Sequence, residues 1–367
     1  MQPFRYAPLL LFGVLLLIVS AEGTGASYPG QNGKIVFGSN RGGGDFDIWV
    51  MDADGSNQQN LTNNPARDKD PSWSPDGQLI AFASDRDGDS DIWVMNGDGS
   101  GLVQVTHNEV HDEGPTWSPD GTRLAFESSR DQDTHIFIVD SDGGAESQVT
   151  NTPGETARDA DWSPDGQYIA FDRLPNASIW KVRPDGTGEQ KLAEAGGGNY
   201  DPSWSPDGKK IAWGSNRDGR YAVFVMDSDG SNETRIGDPN ADESTPAWSP
   251  DGTLIAFSAD DGDSYEMFTM RADGTDRLQL TDGGGDSFDP SWQALRTAGD
   301  ANCDAGVNSV DALQVLRYVA QLSASACVLA GNVKCDDGLT ATDSLFILRF
   351  VANLSVTLPQ GCPEIGT

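Results

Sequence analysis

The side chains best placed for chemistry are oxygen donors near the C-terminus. Across 300–311, Asp300, Asn302, Asp304, Asn308 and Asp311 occupy positions 1, 3, 5, 9 and 12 of a twelve-residue stretch. That spacing wraps a loop around a hard cation, because Ca2+ takes about six to eight oxygen ligands in a loose geometry. A second copy at 332–343 carries Asn332, Asp336, Thr340 and Asp343 at positions 1, 5, 9 and 12, with Lys334 at position 3. An ammonium there replaces a ligand oxygen, so this loop is expected to bind calcium more weakly or not at all. Each loop leads into apolar residues at helical spacing, Leu313, Leu316, Val319 and Ala320 after the first and Leu345, Ile347, Leu348 and Val351 after the second. All four cysteines, Cys303, Cys327, Cys335 and Cys362, fall in this last part of the chain. An even number in a small exported module reads as two disulfides stapling a weak core.

A second set of carboxyl groups is spread over the rest of the chain. Asp68, Asp70, Asp112, Glu113, Asp159, Asp161, Asp201, Asp242, Glu243 and Asp289 each stand shortly before a recurring Trp. If those stretches converge, the candidate partner-binding residues Asp70, Asp112, Asp159, Asp201 and Asp289 form an acidic ring. Such a ring favours a cation or a basic peptide tail, and mutual repulsion raises carboxyl pKa values within it. The alternative is a solvated rim of loop residues. No spacing nominates a carboxylate pair for glycoside hydrolysis. His107 and His111 stand in His-Asn-Glu-Val-His, which is not the helical zinc motif. Turns such as Asp52-Ala53-Asp54-Gly55 resemble calcium loops locally, but a position between strands explains Asp and Gly without an ion.

These carboxyls are positioned by a repeat. Trp-Ser-Pro-Asp-Gly begins at Trp73, Trp117, Trp162, Trp204 and Trp248, and a truncated copy begins at Trp292. A period of 42 to 45 residues is the length of a four-stranded propeller blade. In the second repeat, 71–74 reads as a short inner strand and Pro75-Asp76-Gly77 as its turn, with further strands at 79–82, 91–95 and 103–106. The first repeat lacks an inner strand, and the last has one with no blade after it. Joined, they complete one blade and close a six-bladed ring, protecting edges that an open array exposes.

The repeat resembles the TolB-type, WD40-like propeller repeat, also found in relatives of prolyl oligopeptidase. That resemblance implies a binding scaffold more readily than an enzyme, and no Gly-x-Ser-x-Gly nucleophile elbow of the peptidases is present. The family's TolB members place an α/β domain ahead of the propeller, whereas a signal-like segment precedes it here. The paired calcium loops and helices resemble a type I dockerin, departing from it in Ala305, Lys334 and the added cysteines. That resemblance implies a cohesin-type partner read by the residues just after each loop, Ser309 and Val310 in one unit and Ala341 and Thr342 in the other. Antiparallel packing of its two helices favours Cys303 with Cys362 and Cys327 with Cys335, although three connectivities remain open.

Residues 1–26 have the order of a secretory signal and leader: one Arg, an apolar run and small residues at Ala21 and Ala26. The apolar run is short for the ~30 Å core of a bilayer, so no stable membrane insertion is expected after cleavage. Fifty-seven acidic against 24 basic side chains give a net charge of -33, which opposes nucleic acid. The expected fold is mainly β: a six-bladed propeller over 27–298 followed by a small α-helical, dockerin-like calcium-loop domain over 299–367. The expected function is that of a secreted or cell-surface binding or scaffold protein. Its propeller recognises protein or carbohydrate, and its tail attaches through Ca2+. A dockerin-borne polysaccharide-degrading hydrolase or lyase is the other reading.

Overall fold

The computed structural model describes residues 30–130, 133–194 and 196–295. The signal-like segment, both calcium loops, the four cysteines and the residues after each loop lie outside the described residues. Among the described residues no helix is long and apolar enough to cross a membrane.

Among the described residues there are six four-stranded antiparallel sheets. Their inner strands are Ser287–Leu295 in blade 1, Asp68–Trp73 in blade 2, Asp112–Trp117 in blade 3, Thr156–Trp162 in blade 4, Asn199–Trp204 in blade 5 and Glu243–Trp248 in blade 6. Blade 1 is assembled from both ends of the repeat array. Its inner strand pairs with Gln31–Ser39, setting Ile35 opposite Trp292 and Ser39 opposite Ser287. The joined blade expected from the two incomplete repeats is therefore present. The inner strand of blade 2 begins at Asp68, earlier than the expected 71, and its outer strand is only Val103–Gln104. Thr106 lies beyond that pairing, where its hydroxyl accepts from the Ile92 amide and donates to Asp91.

The second strand of each blade is apolar on both faces because another blade covers each face. In blade 2, Ile80, Ala81, Phe82 and Ala83 are all fully buried. A run without alternation is what such a strand requires. The Trp of each inner strand wedges into the neighbouring blade: Trp73 packs with Val36, Ile48 and Val50 of blade 1, and Trp117 with Ala81, Ile92 and Val94 of blade 2. Trp117 Nε1 also donates to the Ser72 carbonyl at 3.2 Å, and Trp292 Nε1 to that of Ala247 at 3.3 Å.

The residues after Trp fix the next turn. Ser74 Oγ donates to Asp76 Oδ1 at 2.6 Å and accepts from the Leu79 amide at 2.9 Å, while Asp76 also accepts from the Gln78 amide. Gly77 takes φ +67°, where a Cβ would meet the Ala294 carbonyl oxygen at 2.7 Å. The Ser–Asp contact recurs at Ser118, Ser163, Ser205 and Ser249.

A second repeating device was not anticipated from the sequence. Each blade holds an arginine over its aromatics: Arg41, Arg86, Arg130, Arg173, Arg217 and Arg277. Arg86 lies 4.8 Å from the Trp93 ring centroid and reaches buried Asp68 at 2.9 Å. Ring and carboxylate together hold the guanidinium across the blade.

Trp292 packs with Ile35, Phe37 and Met51 of its own blade and Ala256, Met267 and Leu280 of blade 6. Trp292→Ala removes that wedge at the closing seam, and a loss of about 3–5 kcal/mol is expected for a large aromatic truncated to Ala. Urea unfolding followed by tryptophan fluorescence reads it; a loss no larger than that of a surface substitution would show that the seam does not hold the ring.

Candidate functional site

Every inner strand breaks register, once in blades 2 to 6 and twice in blade 1. In blades 2 to 6 the pairing slips between Lys69 and Ser72, Glu113 and Thr116, Arg158 and Asp161, Tyr200 and Ser203, and Ser244 and Ala247. The bulged residue has positive φ in all six blades: Asp70 at 53°, Gly114 at 58°, Asp159 at 51°, Asp201 at 53°, Thr245 at 47° and Asp289 at 55°. Asp tolerates this left-handed conformation better than most residues. Pro follows in five blades, as Pro71, Pro115, Pro202, Pro246 and Pro290, and it fits at a bulge where no amide is needed for the ladder.

The bulges set these side chains around the central channel. Above them opens a cavity of about 710 Å3, lined in part by Lys69, Glu113, Glu127, Arg158 and Tyr200. Below them a cavity of about 200 Å3 reaches Trp204, Trp248 and Trp292. Asp70, Asp159, Asp201, Thr245 and Asp289 line both, so they form the waist between the two. Blade 3 has no side chain at its bulge, and Glu127 of its second strand takes the room. A Cβ on Gly114 would lie 3.3 Å from Glu127 Oε1.

Six carboxyl groups face two cations in the upper cavity. Both cations are already engaged. Lys69 Nζ lies 2.7 Å from Glu113 and 3.5 Å from Asp70; burial opposes its charge, but Asp70 and Glu113 hold its pKa above the usual lysine value. Arg158 meets fully buried Asp172 at 3.3 Å. Burial, followed by the charge of Asp159, pushes Glu127 and Asp201 well above the carboxylate range. Burial and then the charges of Asp70, Asp201 and Asp159 do the same to Asp289. The opposite wall is aromatic, with Tyr200 and Tyr221 centroids 6.0 Å apart and Tyr265 and Phe288 5.0 Å apart.

Of the five expected ring members, Asp70, Asp159, Asp201 and Asp289 converge here. Asp112 does not. It sits two residues before the bulge, where the strand still points its side chain into the blade. There it is fully buried, accepting from Ser128 and from Asn108 at 2.6 Å, with Arg130 at 3.8 Å. Asp68 and Glu243 occupy the same strand position and pair with Arg86 and Arg277. Asp242 stands at the rim against Arg220 and the Tyr221 amide. His135 is buried on the third strand of blade 3, and the His111 ring accepts from the Ser90 amide at 3.4 Å. Lys69, Arg158, Tyr200 and Phe288 were missed in the sequence, although each immediately precedes a bulged Asp. Glu127 and Asp172 were also missed; their signal is an acid at the position where the second strands of blades 2, 5 and 6 have Ala83, Gly214 and Ser258. Among the described residues no three His, Cys, Asp or Glu side chains are grouped as a metal site.

Residues 22–113 and 103–296 match the family model described as TolB beta propeller domain. TolB from Acinetobacter baumannii is 23% identical with a TM-score of 0.63, the match covering 71% of this chain and 67% of that one. A putative TolB from Agrobacterium tumefaciens is 23% identical with a TM-score of 0.57, covering 69% and 90%. Kuenenia stuttgartiensis hydrazine synthase is 17% identical with a TM-score of 0.63, covering 74% and 49%. At these identities the likeness is one of fold. No curated protein matches the chain.

Asp161 lies just below the waist, where its carboxylate accepts from the Trp204 amide of the next blade at 2.7 Å. Burial raises its pKa from 3.8 to about 7, against the opposing pull of that amide. The folded chain then keeps a proton that the unfolded chain releases. Stability therefore falls as pH rises from about 4 to about 7, by up to about 1.4 kcal/mol per unit before screening by channel water. In other blades a serine does the same work, Ser291 accepting from the Trp73 amide at 3.0 Å and Ser203 from that of Trp248 at 3.4 Å. Asp161→Ser is thus expected to fold and to gain stability relative to the parent at pH 8 but not at pH 4. Urea unfolding at the two pH values checks this, and an equal difference at both refutes the burial argument.

Proposed function

The chain belongs to the TolB β-propeller domain family, and from that premise we propose that it is an exported binding protein whose channel mouth receives a cationic segment of a protein partner. The observation that carries this reading is the waist of four bulge-borne aspartates beneath an aromatic-walled mouth whose two cations are already paired. An entering ammonium or guanidinium finds carboxyl groups that Lys69 and Arg158 leave uncompensated. The rings of Tyr200, Tyr221, Tyr265 and Phe288 suit the alkyl stem of such a side chain and the cation itself. A mouth of about 710 Å3 has the scale of pockets that take a side chain or a chain terminus. A folded domain is too large for it and would meet only the rim.

Calcium-dependent attachment forms the second part of the reading. It rests on the ligand spacing of Asp300, Asn302, Asp304, Asn308 and Asp311, with the weaker set Asn332, Asp336, Thr340 and Asp343 behind it. Its partner would be a cohesin-type domain. The signal-like start of the chain supports export to the periplasm, cell surface or medium. A polysaccharide-degrading hydrolase or lyase would draw on the same aromatic wall, and sugar release from polysaccharide, lost on substitution of a waist aspartate, would decide for it.

A fluorescent tetra-lysine peptide is expected to bind the full chain, whereas tetra-glutamate is not. Binding weakens with added salt and falls about tenfold or more in Asp201→Asn, as expected when a carboxylate facing a bound cation is neutralised. Anisotropy measures both, and equal behaviour of the two peptides ends the cationic reading. Calorimetric titration of the full chain with Ca2+ should show saturable binding that the double variant Asp300→Ala, Asp311→Ala loses. Unchanged binding in that variant would remove the first loop as the calcium site.

A further inference from the structure

Asp70, Asp159, Asp201 and Asp289 share the waist between the two cavities, where Asp289 crowds Asp70 and Asp159 crowds both Asp201 and Asp172. Two ionised carboxylates have only acceptors to offer, so crowding of this kind favours a proton between the partners. We infer that the waist is held by shared protons at neutral pH, and that a cationic ligand enters by displacing them. The inference rests on the cation-binding reading above for the ligand, and on the carboxyl crowding for the protons.

The surroundings favour protons over full ionisation from every side. Blade 1 contributes Asp289 beneath the Phe288 ring, and blade 2 contributes Asp70 with Lys69 beside it. Lys69 is the sole cation next to that pair and is shared with Glu113. Glu127 closes the blade 3 side with a further carboxyl group. On blade 4, Arg158 is the cation nearest Asp159, and Asp172 engages it. Blades 5 and 6 present Tyr200, Tyr221, Tyr265 and Thr245, with no cation among them. Asp172 Oδ1 is moreover buried without a hydrogen-bond partner. An ionised carboxylate there would leave charge on an oxygen that no donor meets, a cost that protonation relieves. Burial and then the neighbouring charge of Asp159 push Asp172 well above the carboxylate range, in the same direction as Asp201.

The device has a definite sign. At low pH the waist is neutral and a cation gains little by entering. As pH rises the protons leave more readily, and affinity for a cation rises by up to about tenfold per pH unit for each proton exchanged. Near neutral pH, binding expels protons into solution.

Two measurements on the full chain test this. Infrared difference spectra between the parent and Asp289→Asn, and between the parent and Asp201→Asn, should show a protonated carboxyl carbonyl band at pH 7 that is lost at high pH. Two variants guard against one failing to fold. Titration calorimetry with tetra-lysine at pH 7, in phosphate and in Tris, should give different heats because the released protons are taken up by buffers of different ionisation enthalpy. Affinity should fall at least tenfold from pH 8 to pH 5, and both Asn variants should release fewer protons. Absence of the carbonyl band at pH 7 overturns the proton-held waist. Binding with the same heat in both buffers and no pH dependence overturns the exchange. A band in a protein that does not bind tetra-lysine supports the shared protons and defeats the cation reading alone.

Discussion

A four-stranded blade cannot cover its own two faces, and most of this fold follows from that. The second strand of blade 2 buries Ile80 and Phe82 toward blade 1 and Ala81 and Ala83 toward blade 3. Neither set has a home unless both neighbours are present, so the last blade must meet the first. Pairing of Ser287–Leu295 with Gln31–Ser39 meets that demand with strand from opposite ends of the array. Apolar burial drives the closure, and hydrogen bonding sets its register.

Closure around an axis then dictates what the channel can hold. The inner strands converge, and each relieves the crowding with a bulge whose central residue has positive φ. That conformation disfavours most side chains but accepts Gly and Asp, so a backbone requirement biases the residue types at the waist, with Thr245 of blade 6 the exception. Four crowded aspartates result. The chemistry of the channel is therefore a product of its geometry, and Glu127 shows the converse: where the bulge is Gly114, an acid from the adjacent strand enters the vacant room.

What could be read in the sequence was local. Trp-Ser-Pro-Asp-Gly encodes a wedge, a hydroxyl–carboxylate contact and a left-handed turn within five residues, so blade number, strand order and the composite blade were all legible. Asp112 was not, because its fate depends on an offset of two residues from a bulge that only strand pairing defines. The same offset separates buried Asp68 from waist-lining Asp70. Glu127 and the carboxylate partners of the arginines escaped notice for a related reason: Asp68 and Glu243 meet Arg86 and Arg277 from across the blade, at sequence distances that no motif spans, although Phe37 and Phe82 stand only four residues before Arg41 and Arg86. Arg277 reaches Glu243 from the far side of its own blade, 34 residues away.

The composite blade also fixes how the ring responds to tension. Gln31 and Leu295 face each other at one end of an antiparallel pair. Chain entering at 31 and chain leaving at 295 therefore depart from the same point, and a pull between them acts on the first hydrogen bond of the seam before any other. Bonds loaded in turn peel, whereas bonds loaded together shear and resist far more force. Drawn apart by its two ends, the ring opens like a zip.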